Sequence, residues 1–493
     1  MEDTDVVVIG AGFAGLTASI CLADQGFKVV VLEKNTTAGG RARKFSEKGF
    51  TFDMGPSWYW MPDVFDKFFK RFGHEVSDFY QLQRLDPSYR VFFHKDDILD
   101  LPADYSKLKQ VFNEIEKGSG DRLDKFLNQA KYKYDTGMNH LVFMPGRSLF
   151  EFLSARILWG TLKLDIFKSF SKHVRKYFHN EKLLRLLEFP ILFLGALPQN
   201  TPALYSLMNY TDIKLGTWYP QGGMHKIVEA LVQLGKKKGV QFRFDQTVRQ
   251  IKVHKNQATS VITENNSLDC KAIIAGADYH HVETNLLEPQ HQSYTKKYWD
   301  QRVMAPSSLI FYLGINKKLN NLCHHNLFFD RDFKPHAEEI YKNPQWPSDP
   351  LFYMSVTSKT DPSVCPTGCE NLFILMPVAP GLEDGPDIHE KYYFRIMERL
   401  EYLTGQEIRE HVVYKRSYAH NDFGADYNAF KGNAYGLANT LKQTALLKPA
   451  IRSKKVKNLF FTGQLTVPGP GVPPSIISGQ VSAQELIKEI NTK

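Results

Sequence analysis

The chain has 493 residues, 43% hydrophobic and 13% aromatic, with 35 Phe and 23 Tyr. That length and composition support two or three packed cores and exclude a disordered polypeptide or a small disulfide scaffold. The net charge of +9, with a pI near 9.0, requires an anionic partner or a solvated basic face; no nucleic acid is expected, because no nucleic-acid-binding motif accompanies the charge.

The first predicted unit is Val6–Glu33, VVVIGAGFAGLTASICLADQGFKVVVLE. A buried strand enters Gly10, Gly12 and Gly15, a helix follows, and a second apolar strand, Lys28–Leu32, ends on Glu33. Gly10 permits a tight turn, Gly12 lets the backbone approach a pyrophosphate, and Gly15 lets helix and strand pack closely. The helix N-terminus directs free N–H groups at that anion. Glu33, about 18 residues after Gly15, is spaced for a ribose hydroxyl and favours FAD or NAD over NADP. The next stretch, KNTTAGGRARKFSEKGFTFDMGPSW, puts Arg41 and Arg43 directly after Gly39–Gly40, a natural second clamp on a diphosphate. A short strand, Phe50–Asp53, then reaches Gly55–Pro56. The aromatic run Trp58, Tyr59, Trp60 fits a substrate channel and plain packing equally well.

Residues 96–216 read as mainly helical. Asp135 and Glu151 lie there, but a lone carboxylate is more often a surface group, so no catalytic base is named. Arg156–Arg185 interleaves Lys and Arg with Leu, Ile, Phe and Trp159; at helical spacing this predicts an interfacial helix on anionic lipid, with an ordinary core-packed helix as the alternative. Downstream, Thr217–Ile251 predicts a helix, Gly239 and a strand ending near Val248. Ala272–Asp278 predicts a strand and turn. Strands at Ser308–Ile315 and Leu372–Pro377 and a helix near His389–Leu403 follow. Finally, Asn458–Ile490 predicts a strand over Leu459–Thr462, a Pro/Gly-rich loop from Gly463, and a helix starting near Pro474.

The Gly39–Arg41 region resembles that of the large FAD-dependent family of amine oxidases, protoporphyrinogen oxidase and carotenoid desaturases. The run G-x-x-T-x-P-G-x-G-x-P, Gly463 to Pro473, looks like the C-terminal signature of bacterial-type carotenoid desaturases. Further matches run in order: the YP-x-GG-M block in Thr217–Ile251; an N-A-D turn with Gly276 in place of the asparagine; the T-D-P-S stretch in Ser358–Pro380; and a Gly-rich block in Asn428–Ser453. The resemblance implies FAD as cofactor. It assigns to it Ala14, Lys34, Gly40, Arg41, Gly55, Pro56, Val248, Gly463, Gln464, Val472 and Pro473, besides Gly10, Gly12, Gly15 and Glu33. One departure is Gln464, where family members often carry an acid; an amide still bonds a hydroxyl or phosphate oxygen.

The implied reaction is desaturation of a C40 polyene, phytoene towards neurosporene or lycopene. A hydroxylated carotenoid 3,4-desaturase, a C30 desaturase, an amine oxidase and a non-enzymatic escort of prenylated proteins remain alternatives. The electron acceptor, oxygen or quinone, stays open. The expected fold is α/β, with a discontinuous Rossmann-type FAD domain (1–95, 217–290, 452–493). A helical, membrane-facing subdomain (96–216) and a β-rich substrate domain (291–451) complete it. Five cysteines in a long chain give no disulfide framework, and Cys365 and Cys369 lack partners for zinc, so no metal is expected. No signal peptide is read at the N-terminus, and Phe189–Leu197, interrupted by Pro190, is too short to span a bilayer. The expected location is cytoplasmic, peripheral on the inner face of the cell membrane.

Overall fold

A computed structural model describes residues 4–147, 164–165, 168–194, 197–440, 443 and 447–491. At its centre is a five-stranded parallel sheet in the order Leu459–Phe461, Ala272–Ala275, Val6–Ile9 (β1), Val29–Leu32 (β2), Gln241–Arg243. β1 and β2 are unbroken Val/Ile/Leu runs, buried at every residue, as a parallel strand covered on both faces requires. Between them Phe13–Ala23 (α1) is buried at nearly every position, because the sheet lies on one side and the final helix, Val472–Asn491, on another. Gly479 makes that contact possible: a Cβ there would lie 2.4 Å from the Ala14 carbonyl oxygen.

A second sheet has seven strands. Its order is Val412–Tyr418, Ser307–Ile315, Glu370–Val378, Phe352–Ser355, His325–Phe328, Tyr89–His94, Asp97–Leu101. All its pairings are antiparallel except that of His325–Phe328 with Tyr89–His94. The last strand of the 1–95 segment therefore hydrogen-bonds into the second sheet, not the first. A three-stranded antiparallel sheet spans Val248–Asp269.

Two expectations need correction, and a third is met within two residues. Val248 does not end a strand: the parallel strand stops at Arg243, and Val248 opens the first strand of the three-stranded sheet. The final helix begins at Val472, two residues before Pro474, since prolines in a first turn forfeit no intrahelical bond. The segment Arg156–Arg185 is not one helix where it is described. Phe170–Val174 and Glu181–Glu188 are separate short helices, and Phe170, Val174, Phe178 and Leu183 are fully buried. Their apolar face belongs to the core. Most of residues 156–167, and Glu151, lie outside the described residues. Among the described residues no helix is long and apolar enough to cross a membrane, and no cluster of His, Cys, Asp and Glu could hold a metal.

Candidate cofactor and substrate cavity

One cavity runs from the carboxyl end of the parallel sheet to the face of the second sheet. Its nucleotide half is built from the glycine turn. Gly10 has φ +96°, a conformation glycine adopts freely. A Cβ on Gly15 would lie 2.0 Å from the Gly10 carbonyl oxygen, so only glycine lets α1 start this close to β1. Gly15 thus shapes the turn and does not line the cavity. Gly12 has the opposite environment: nothing lies within 4 Å of where its Cβ would be, because that direction opens into the cavity. The Gly40 Cβ position is 3.2 Å from the Gly12 Cα, so the second glycine pair abuts the first.

Glu33, at the end of β2, is 4% exposed and braces the turn. Its Oε2 accepts the Ala11 N–H at 2.8 Å, and its Oε1 accepts the Asn35 N–H at 2.9 Å and the Asn35 side-chain amide at 2.8 Å. Arg41 reaches across the cavity to donate to the Asn433 carbonyl at 3.1 Å, and its guanidinium lies 5.1 Å from the Tyr427 ring centroid. Its buried Nε has no hydrogen-bond partner among the described residues. An orphaned guanidinium donor beside an open glycine turn is what a diphosphate would satisfy. These residues fit FAD.

The roof over this half comes from the far end of the chain. Lys34 donates to the Ala425 carbonyl, and Arg43 pairs with Asp426 at 2.5 Å. Burial lowers the Lys34 pKa, against the pull of Asp426. Asp278, in the strand-turn Ala272–Asp278, is raised to about 6 by burial, with the Arg41 charge opposing. Its oxygens accept the N–H groups of His281 and Phe430 at 3.2 and 3.3 Å. Gly276, in the asparagine position of that turn, has its Cβ position 3.3 Å from the Gly15 Cα; a side chain there would press on the glycine turn. At the C-terminal end, Gly463, Gln464, Val472 and Pro473 line the cavity. Gln464 donates its amide to Asn433 at 3.0 Å. Pro473 and Pro474 lack N–H groups, so this helix end acts on a ligand mainly through its dipole.

The expected residues Gly10, Gly12, Ala14, Glu33, Lys34, Gly40, Arg41, Gly55, Pro56, Val248, Gly463, Gln464, Val472 and Pro473 all line the cavity. Beyond Pro56 the wall turns apolar, with Trp58, Trp60, Met61, Met208, Ile310 and Leu375. The aromatic run divides: Trp58 and Trp60 face the cavity, whereas Tyr59 is fully buried against Phe65, ring centroids 4.4 Å apart. Asp135 pairs with Lys131 on the surface, at 2.5 Å and half exposed. Sequence reasoning missed Asp278, although its turn was recognised, and the roof Asp426–Asn428, which no local pattern marks.

The fold and site define a flavin-dependent oxidoreductase. The family model of flavin-containing amine oxidoreductases matches residues 13–487, and the chain belongs to that family. Within it, the chain is one of the bacterial-type carotenoid desaturases. It is 41% identical to a carotenoid 3,4-desaturase of Haloarcula japonica over 99% of both chains. It is 32% identical to a zeta-carotene-forming phytoene desaturase of Myxococcus xanthus, over 98% of this chain and 93% of that one. Among solved structures, cyclohexylamine oxidase from Brevibacterium oxydans shares the fold, with a TM-score of 0.60, 14% identity, and 99% and 100% of the two chains covered.

Proposed function

We propose that the chain desaturates a C40 carotenoid precursor laid along the apolar wall. The observation that carries this reading is the continuity of one cavity from the nucleotide turn to Trp58, Trp60, Met61 and Met208. Bound there, FAD supplies the two-electron acceptor that removing hydrogen from adjacent carbons needs. The protein's part is positioning. Flat rings and methionines grip a polyene without polar demands, exclude water, and hold its carbons in register with the cofactor half. The carboxylates lining the cavity, Glu33, Asp278 and Asp426, are engaged by backbone N–H groups or arginine in the nucleotide half, so none is assigned as a base.

Phytoene, desaturated towards neurosporene or lycopene, is the substrate that the sequence resemblance suggests. The higher identity to the 3,4-desaturase relative favours a second reading, action at the 3,4 bond of a hydroxylated carotenoid. Expression in one host making phytoene and another making a hydroxylated acyclic carotenoid separates them by which pigment shifts to longer wavelength. No shift in either host would overturn the desaturase reading. The substrate reaches the cavity from a lipid surface, and the acceptor that reoxidises the cofactor is oxygen or a quinone.

A further inference from the structure

A hydrogen-bonded chain stands at the junction of the two halves of the cavity, where an all-hydrocarbon ligand gives it nothing to bond. Ser57 follows the Gly55–Pro56 turn, which is packed so tightly that a Cβ on Gly55 would lie 2.5 Å from the Arg41 carbonyl oxygen. Ser57 is therefore held between the diphosphate clamp and the aromatic wall. Tyr353 donates its hydroxyl to Ser57 Oγ at 3.0 Å. Both residues line the cavity. Behind them, His325 Nδ1 is 2.7 Å from the Tyr353 hydroxyl. The pleat places the two side chains together, since His325 pairs with Ser355 and Tyr353 with Leu327 across adjacent antiparallel strands, a diagonal on one face.

The direction of the chain is fixed by what each group has left. His325 is fully buried and its Nε2 has no partner among the described residues. Burial holds its pKa well below the usual imidazole value, so the ring is neutral. With the Tyr353 proton directed at Ser57, the tautomer that fits carries its proton on Nδ1 and donates it to Tyr353, leaving a lone pair on Nε2; an unpaired buried N–H would cost more. The order is then His325 to Tyr353 to Ser57, and the serine proton is the one left over. Among the described residues the Ser57 hydroxyl donates to no protein acceptor. The imidazole also stacks on Trp58, ring centroids 4.1 Å apart at 10°, which stiffens the assembly.

We propose that Ser57, oriented by Tyr353 and His325, donates a hydrogen bond to a neutral acceptor atom of a ligand bound in the cavity. Two ligands offer that chemistry: a hydroxyl oxygen on the polyene, or a ring oxygen or nitrogen of the flavin. Ser57 is the contact residue; Tyr353 and His325 are positioning residues. The polyene source rests on the desaturase reading, whereas the flavin source does not.

The test compares flavin-loaded wild type with Tyr353→Phe, which removes one hydroxyl and keeps the ring, and with Ser57→Ala. Flavin content reports folding. A substrate source predicts that KM for a hydroxyl-bearing polyene rises about 10- to 100-fold in both variants, the range for an unmade buried hydrogen bond. KM for the hydrocarbon of equal length moves by less, so the ratio of the two KM values rises, while the flavin band keeps its wild-type position. A flavin source predicts a shifted flavin band and midpoint potential in both variants, with kcat falling alike for the two substrates. Flavin-loaded variants that match wild type in KM, spectrum and potential overturn the proposal. If wild type oxidises neither polyene, the desaturase reading fails, and the hydrogen bond is decided by spectrum and potential alone.

Discussion

Replacing Gly12 with valine separates cofactor binding from folding. Gly12 sits just before α1 with φ −77° and ψ 174°, extended backbone that any residue adopts, and its Cβ would touch nothing. The apoprotein therefore bears little strain, about 1 kcal/mol or less for a poorer helix cap. The methyl groups occupy the space a diphosphate needs, so flavin should be lost. With it goes the linkage stabilisation, about 2.7 kcal/mol when FAD stands at 100 times its dissociation constant. Gly15→Ala is the contrasting case: its Cβ meets the Gly10 carbonyl oxygen at 2.0 Å, so the turn itself must deform and the apoprotein should lose about 1–3 kcal/mol. The assay is flavin absorbance per polypeptide alongside urea unfolding of the apo forms. A soluble Gly12→Val protein with stoichiometric flavin would refute the assignment of this turn.

Glu33→Ala removes the acceptor of the Ala11 and Asn35 N–H groups; FAD affinity should fall by about 1–3 kcal/mol and apo stability should fall with it. Flavin titration checks the first, and unchanged affinity would place the ribose acid elsewhere. Asp278, at about 6, holds its proton more tightly folded than unfolded, so it costs stability as pH rises through roughly 4 to 6 and nothing further above. Asp278→Asn should gain on wild type across that window by at most about 3 kcal/mol; parallel stability curves would contradict it. For lipid docking, Lys168, Lys172 and Lys176 are exposed in the described part of the basic segment, with Lys168 paired to Asp165 at 2.6 Å; Arg175, also exposed, is paired with Glu188. Changing the three lysines to Glu should release the protein from anionic liposomes at low salt, each contributing about 1 kcal/mol, with the flavin spectrum intact. Cosedimentation at wild-type levels would remove this surface from the account.

What the sequence made legible was what short-range sterics dictate. The Val6–Glu33 unit and the Phe50–Asp53 strand stand where their patterns put them, because glycine spacing and apolar runs leave few alternatives. The placement of Val248 failed for the converse reason: Gln241–Arg243 is only three residues long, and nothing local says where a short edge strand stops. Arg156–Arg185 has one continuous periodicity, yet the chain turns after Val174 so that Phe178 can enter the core. The roof over the cofactor half and the His325–Tyr353–Ser57 chain join residues nearly 300 or more positions apart; they exist only once both sheets have met.

The packing of the last helix on the first has a consequence for biosynthesis. α1 is apolar on all sides and is translated early, yet its cover, the helix carrying Gly479, emerges about 450 residues later, some 20–90 s at ~5–20 residues per second. The same late segment supplies Gly463 to Pro473 to the cavity wall and the outer strand to the parallel sheet. A ribosome-bound chain stalled before Leu459 should therefore capture no flavin and should recruit a holdase through α1. The cavity wall is complete only once this segment has emerged and packed on α1.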